Sequence, residues 1–586
     1  MCPAEFVSTT DEELRRPRAL TSLRARCPLW GRGFTLERMA KRAHITSAQR
    51  ALTARDWGAA KAAFEAALVD EEAAEALSGL GEAVFWLGDL ARAIALRERA
   101  YVAYRDRGDG ASAARMALWL ATQHGGGLGN HAVANGWVSR AQRLLRDVGP
   151  CAEAGWLMLR RSRAAADSAS AERLASEAIH LAKVLGDPDL EIAAISQRGR
   201  ALLARGRIDD GFDCLDEAMA AATAGELRSA ETFGDTCCDM IGACERAMDI
   251  DRARQWCHVT MDFARRVRFE PIFAFCRVTY AGVLISQGKW TEAEGTLREA
   301  LHSYDASFVA QRHFALSRLA ELRLLQGRDA EAEAILAEHG EQQAAARPAA
   351  MLHLARGDGR AAVRVLRARI AAVRADVLRC APLLALLVEA QLATGDLDKA
   401  SQTTHQLDSI AKTTNRPPFS ALAAFARGLV AGRNCRVAVA SFETAAHTYA
   451  TLGMPLQAAR ARLGLARSLA DTDVRVARES CRTAIAAFER LGARRDQDAA
   501  AGLARQLGVG ARTGPRATTT LTRREEEVLS LLGLGLPNAK IGARLFISPK
   551  TVEHHVGNIL AKLGVDTRAA AAAYWATRSG KKPGGE

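Results

Sequence analysis

Aromatic residues are scarce in this sequence, at 5% of its 586 positions, and lysine supplies only 11 of its 80 basic residues. Its twelve cysteines are scattered from Cys2 to Cys481 and form no Cys-x-x-Cys pair. A disulfide framework belongs to small secreted chains, so these cysteines read as reduced thiols used as small apolar residues inside helices. Cys237, Cys238, Cys244 and Cys257-His258 lie near one another in sequence, but their spacing fits no usual zinc pattern and no metal is expected. The longest apolar run, near Ala381 to Val388, stops at Glu389, well short of the ~18 residues that a membrane span needs. Arg15, Arg16 and Arg18 are followed by no apolar segment, so no secretory leader is expected and the location reads as cytoplasmic. No Gly-x-Ser-x-Gly and no His-Glu-x-x-His occurs. The one glycine cluster that suggests phosphate binding, Gly125-Gly126-Gly127-Leu128-Gly129, lacks the Lys and hydroxyl that would hold phosphate and Mg²⁺. It reads as a flexible inter-helix loop. The sequence therefore implies neither an enzyme nor a cofactor.

Apolar residues are plentiful, at 49%, which supports a large core and excludes wholesale disorder. The formal charge of +13 is carried mostly by arginine, 69 of the 80 basic residues. With abundant Ala and Gly, that is the bias of a GC-rich genome, so the charge alone does not point to nucleic acid. The lysines are more informative. Lys540, Lys550, Lys562, Lys581 and Lys582 put five of the eleven in the last 47 residues.

The long middle of the chain is rich in Ala, Leu, Arg and Glu and poor in proline, which predicts helix nearly throughout. A short turn signature recurs in it: a glycine or similar residue, a polar residue, then an Ala opening the next helix. It appears at Gly88-Asp89-Leu90 with Ala93, Gly206-Arg207-Ile208, Met248-Asp249-Ile250 with Ala253 and Gly288-Lys289-Trp290 with Ala293. It continues at Gly327-Arg328-Asp329, Gly357-Asp358, Gly395-Asp396-Leu397 with Ala400, and Gly432-Arg433. From Gly206 onward the steps are 42, 40, 39, 30, 38 and 37 residues. Steps of this size between helix–turn–helix units predict a helical solenoid with tetratricopeptide logic, each repeat burying its apolar face on its neighbours. The glycine would take a helix C-terminal position with φ > 0, and the small Ala would let two helices approach closely. Trp57, Phe64, Phe85, Trp86, Tyr101, Tyr104, Trp119 and Trp137 crowd the earliest repeats, where core packing is the expected role and ligand lining the alternative. The domain limits that follow are an arm over 1–44, expected to be disordered, repeats over 45–508, a linker over 509–520, a compact four-helix unit over 521–579, and a basic tail over 580–586.

The four-helix unit carries the chemistry. Thr522-Arg523-Arg524-Glu525 reads as a capping box opening a first helix, with Val528, Leu531 and Leu532 on its apolar face. Gly533, Gly535 and Pro537 end it. A second helix begins near Asn538 and buries Ile541 and Leu545, and Phe546-Ile547 forms the turn. Ser548 as N-cap and Pro549 at the first position open a third helix that runs to about Leu563. Asp566 or Thr567 caps a fourth. Along the third helix Val552, Val556, Ile559, Leu560 and Leu563 recur at i, i+4, i+7, i+8 and i+11 and face the core. Lys550, Thr551, Glu553, His554, Gly557, Asn558 and Lys562 are left for the other side. A short helix, a tight turn and a second helix with a polar outer face is the arrangement that places one helix in the major groove.

The residues Leu521-Thr522-x-Arg524-Glu525-x-Glu527-Val528-Leu529, then Gly535-x-x-Asn538, Ile547-Ser548-x-x-Thr551-Val552-x-x-His555 and Lys562-Leu563-Gly564-Val565, resemble the LuxR/GerE-type DNA-binding domain. That likeness covers about a tenth of the chain. It implies that Asn538, Lys540, Ser548, Lys550, Thr551, Glu553, His554, His555, Gly557, Asn558 and Lys562 form the DNA face. It also implies that Ala569, Ala572 and Ala573 on the fourth helix contact a second copy. Glu553 and Gly557 depart from the basic residues frequent there, so base readout is expected to differ. Residues 521–586 hold ten Lys/Arg against six Asp/Glu, net +4, a modest charge that calls for two copies on two half-sites. Trp57-Gly58-x-Ala60 and Leu87-Gly88-Asp89 resemble, more loosely, the helical-repeat half of large LuxR-type regulators, though with no nucleotide-binding segment ahead of them. The expected protein is an all-α transcriptional regulator that binds duplex DNA as a homodimer. Its repeats would sense a protein or small-molecule effector, RNA polymerase would be a further partner, and no membrane is involved. The alternative is a protein–protein scaffold or adaptor with a vestigial DNA-binding unit.

Overall fold

The structure is a computed structural model that describes residues 43–69, 73–267, 273–307, 311–339, 343–432, 436–508, 521, 523–563, 565 and 567–579. The expected arm, linker and tail lie outside these residues except for 43 and 44, which are helical rather than part of an arm. The described residues are helical with short turns and contain no strand. No described helix is long and apolar enough to cross a membrane. Internal contacts divide the chain into two units, Met1–Leu503 and Ala504–Glu586.

The first unit is a tetratricopeptide-like stack of antiparallel helix pairs. Pro188–Ala204 pairs with Ile208–Ala224, Ala230–Ala247 with Ile250–Val267, and Val377–Ala393 with Leu397–Thr414. The turn signature has the geometry expected of it. Gly88, Gly206, Met248, Gly288, Gly327, Gly357, Gly395 and Gly432 all have φ between 55° and 93°. At seven of these turns the amide of the following residue donates to the carbonyl five residues back, at 2.8–3.1 Å, as Asp89 does to Val84 and Asp396 to Gln391. This bond satisfies carbonyls that the helix end would leave bare. The aspartates then cap the next helix: the Asp89, Asp358 and Asp396 carboxylates accept from the amides of Arg92, Ala361 and Lys399.

Packing follows the same pattern. Ala93, Ala253, Ala293 and Ala400 are fully buried at the helix crossings. The tightest crossing is at Gly199 and Gly211, where a Cβ on either would meet the other's carbonyl oxygen at 2.7 or 2.9 Å. On Ile208–Ala224 the residues Ile208, Phe212, Leu215, Met219 and Ala222 form one buried stripe, each large side chain contributing about 1.5–3 kcal/mol. Among the aromatics of the early repeats, Trp57 stacks on Trp86 at 5.5 Å and Phe85 meets Trp119 edge-on at 5.4 Å. Packing is thus their main role, although Phe85 and Trp86 also reach the cavity described below. Of the expected flexible loop 125–129, residues 125–127 instead belong to a π-helical turn, Gln123–Gly127, that continues the preceding helix. Cys237, Cys244, Cys257, Cys276, Cys380 and Cys481 are buried and free, and no described cluster of His, Cys, Asp or Glu could hold a metal.

The stack also folds back on itself. Ser168 donates to the Ala375 carbonyl at 3.2 Å, and Arg416 pairs with Asp209. Gly288 lies so close to Leu491 that a Cβ would meet its side chain at 2.4 Å.

Candidate nucleic-acid interface

Four helices build the second unit: Arg523–Gly533, Asn538–Leu545, Pro549–Leu563 and Arg568–Ser579. Their core is one cluster of Val528, Leu529, Leu531, Leu532, Ile541, Val552, Val556, Ile559 and Ala571, with Leu545, Ile547, Leu560, Leu563 and Trp575 packed against it. Trp575 lies over Gly533, where a Cβ would meet its ring at 2.4 Å.

The turn between the second and third helices is set by two residues. Phe546 closes the second helix in the left-handed region, at φ 56°, and its ring is 95% exposed. A bulky residue rarely adopts this conformation without a reason elsewhere in the structure. That reason is Gly542: the Ile547 amide donates to its carbonyl at 2.9 Å, and a Cβ on Gly542 would lie 2.7 Å from the Ile547 carbonyl oxygen. The first helix braces the same corner, since Arg524 Nη2 donates to the Leu545 carbonyl at 2.6 Å. Residue type alone foretells none of these three interactions.

Ser548 caps the third helix, its hydroxyl accepting from the Thr551 amide at 3.1 Å. Val552 and Ile559 are fully buried. Lys550, Thr551, Glu553, His554 and Gly557 are exposed, while His555 and Asn558 are half-buried. The second helix exposes Lys540 and, four residues on, Arg544, a cation absent from the expected DNA face. Asn538 is half-buried and its side-chain oxygen accepts from Arg568 Nη1 at 2.5 Å, so that acceptor is used within the unit. Thr567, whose hydroxyl accepts from the Ala570 amide at 3.1 Å, caps the fourth helix. Ala569 and Ala573 are exposed and Ala572 is half-buried on it.

Lys562 does not take the place expected for it on the DNA face. It points inward, its Nζ donating to Glu525 Oε2 at 2.6 Å, with the two side chains only 7% and 5% exposed. It sits three residues after Ile559, at the border of the apolar and polar faces, where a four-carbon stem can run along the core to the first helix. Glu525 thus holds the third helix to the first. Thr522, the other end of the expected capping box, lies outside the described residues.

Residues 519–575 match the family described as bacterial regulatory proteins, luxR family. The transcriptional regulatory proteins LnrK and LiaR of Bacillus subtilis (strain 168) are similar to the chain over 60 and 55 residues, at 48% and 51% identity. These stretches are 10% and 9% of this chain, which spans only about a quarter of those relatives, 27% and 26%. The DNA-binding transcriptional activator DevR/DosR of Mycobacterium tuberculosis (strain ATCC 25618 / H37Rv) is 36% identical over 88 residues, 15% of this chain and 40% of that protein. Among solved structures, the APC/C hetero-tetramer Cut9-Hcn1 aligns over 82% of this chain and 98% of its own, at 13% identity and a TM-score of 0.32. The C-terminal unit is a luxR-family helix-turn-helix domain.

Proposed function

We propose that the chain is a DNA-binding transcriptional regulator whose third C-terminal helix, Pro549–Leu563, reads the major groove of duplex DNA. The observation that carries this is the division of that helix into two faces. One is locked into the four-helix core through Val552, Val556 and Ile559. The other presents Lys550, Thr551, Glu553, His554 and Gly557 outward, with Asn558 beside them. The groove is about 12 Å wide and admits one helix of this kind. The exposed Lys540, Arg544 and Lys550 would meet phosphates, and the exposed Glu553 would accept from a cytosine amino group. The exposed small residues Ala569 and Ala573 suit close approach of a second copy, which would set two helices on two half-sites. The domain limits 45–508 and 521–579 then separate a repeat unit that senses an effector or partner from the unit that reads DNA.

The test selects bound duplexes from a random pool with the full chain and with a chain ended after Gly510. The full chain should enrich one sequence, with log affinity falling linearly in log salt as counterions are released. The shortened chain should enrich none. Equal protection of the same site by both chains would overturn the reading.

A further inference from the structure

The repeat unit holds a partly open cavity of about 820 Å³, within the range of small-molecule sites. Its walls come from helices spread between residues 85 and 460, all in the first unit. Phe275 and Phe314, edge-on at 5.6 Å, line it together with Leu383, Leu386 and Phe425.

Three charged residues in this wall, Arg246, Glu231 and Glu389, have no ion pair and no hydrogen bond among the described residues. Arg163 is paired with Asp235 at 3.3 Å, Arg200 with Asp239 at 3.0 Å and Arg379 with Asp376 at 3.2 Å. Arg246 stands beside Arg200 and Arg379 and has no ion pair and no hydrogen bond. Burial, with Arg379 and Arg200 nearby, pushes its guanidinium down to about 10, still charged at neutral pH. Gly242, one turn earlier, leaves room for it: a Cβ there would lie 3.3 Å from Arg246 Nη1. The Arg246 guanidinium and those of Arg200 and Arg379 thus gather around two carboxylates, Asp239 and Asp376, a local excess of one positive charge. Two further polar groups in the cavity wall are buried and have no partner among the described residues. Tyr304 is 1% exposed and its hydroxyl has no hydrogen-bond partner, nor has the side-chain oxygen of Gln457.

We propose that this cavity binds a small amphipathic organic anion, its carboxylate or phosphate held by Arg246 and its apolar body by Phe275, Phe314 and Leu383. The proposal rests on the reading of the repeats as a sensor and gives that sensor a ligand class.

Calorimetric titration of the full chain with octanoate, octyl phosphate and 1-octanol tests it. At least one anion should bind about ten-fold or more tightly than the alcohol, because a hydrogen bond to a charged group exceeds a neutral one by about that much. The tighter of the two names the headgroup. Arg246→Gln should bring both anions to the level of the alcohol and leave the alcohol unchanged, and Arg246→Lys, which keeps the charge, should retain part of the difference. The proposal is overturned by equal binding of alcohol and anions, by no binding of any of the three at millimolar concentration, by unchanged anion affinity in Arg246→Gln, or by Arg246→Lys folding with no preference for anions. DNA binding by the same preparations is read separately in a gel shift, so failure of the ligand site and failure of the DNA reading stay distinct.

Discussion

Replacing Lys562 by Met separates a cation that holds the domain together from one that meets DNA. The substitution keeps the stem and removes the charge, leaving the Glu525 carboxylate at 4–5% exposure without the ammonium that now sits 2.6 Å away. An exposed pair such as Arg254–Asp251, at 64% and 80% exposure, contributes about 0–1 kcal/mol at most. A buried pair broken on one side costs about 3–5 kcal/mol, because the remaining charge loses its ion partner in a desolvated place. At the middle of that range, amides of residues 523–563 should exchange with solvent on the order of a thousand-fold faster. Hydrogen exchange read by mass spectrometry on the full chain measures this directly. Removing both charges, with Glu525→Gln added to Lys562→Met, should recover most of the protection, since no lone charge remains. The reasoning is refuted if Lys562→Met leaves exchange unchanged and instead lowers the salt dependence of DNA binding, as removal of a phosphate-binding cation would.

Lys550→Ala should do the opposite, leaving exchange alone and flattening the slope of log affinity against log salt by about 0.9 for each phosphate the lysine neutralises; an unchanged slope would place Lys550 away from the backbone. Gly542→Ala forces a methyl against the Ile547 carbonyl and should destabilise the second unit by about 1–3 kcal/mol, read by the same exchange measurement. Glu231 lines the repeat cavity, where burial, with Asp235 alongside, pushes its carboxyl up from 4.5 to about 7. The folded chain therefore keeps a proton that the unfolded chain releases between those values. The cost is absent below 4.5, grows as the pH rises and is complete above 7, at no more than about 3 kcal/mol. Glu231→Gln should accordingly raise the melting temperature of the chain at pH 8 by clearly more than at pH 5, and an equal gain at both would contradict the assignment.

The repeats are legible in the sequence because each turn is encoded within about six residues. A glycine that can take positive φ, an aspartate that can cap and an alanine that can be crowded are local requirements, and they fall where the signature puts them. Met248 shows how little the first position decides: it adopts φ 55° without being glycine, and Asp249 and Ala253 still mark the turn. Turns of the same kind also form outside the expected set. Gly108, Gly453 and Gly492 have φ of 80°, 68° and 73°, and the residue after each makes the same bond five residues back. Gly108-Asp109 carries the full signal. In the second unit the alternation of buried and outward residues along Pro549–Leu563 is equally local. Lys562 differs because a border position on a helix is decided by what the neighbouring helix offers, and Glu525 is 37 residues away.

The same limit explains why the cavity is invisible in the sequence. On Ala230–Ala247 the residues Glu231, Asp235, Asp239, Gly242 and Arg246 recur at i, i+4, i+8, i+11 and i+15, while Phe233, Cys237, Met240, Ile241 and Cys244 are buried. In sequence that is an ordinary amphipathic helix with a solvated polar face. The fold changes its meaning, because Val377–Ala393 comes back across it and brings Arg379 to Arg246 from 133 positions away. A stripe that would face only solvent in an isolated helix then lines a cavity wall, where its charges meet those of the returning helix as well as water. Arg246 is the cation that this arrangement leaves without a carboxylate of its own, beside two arginines that have theirs.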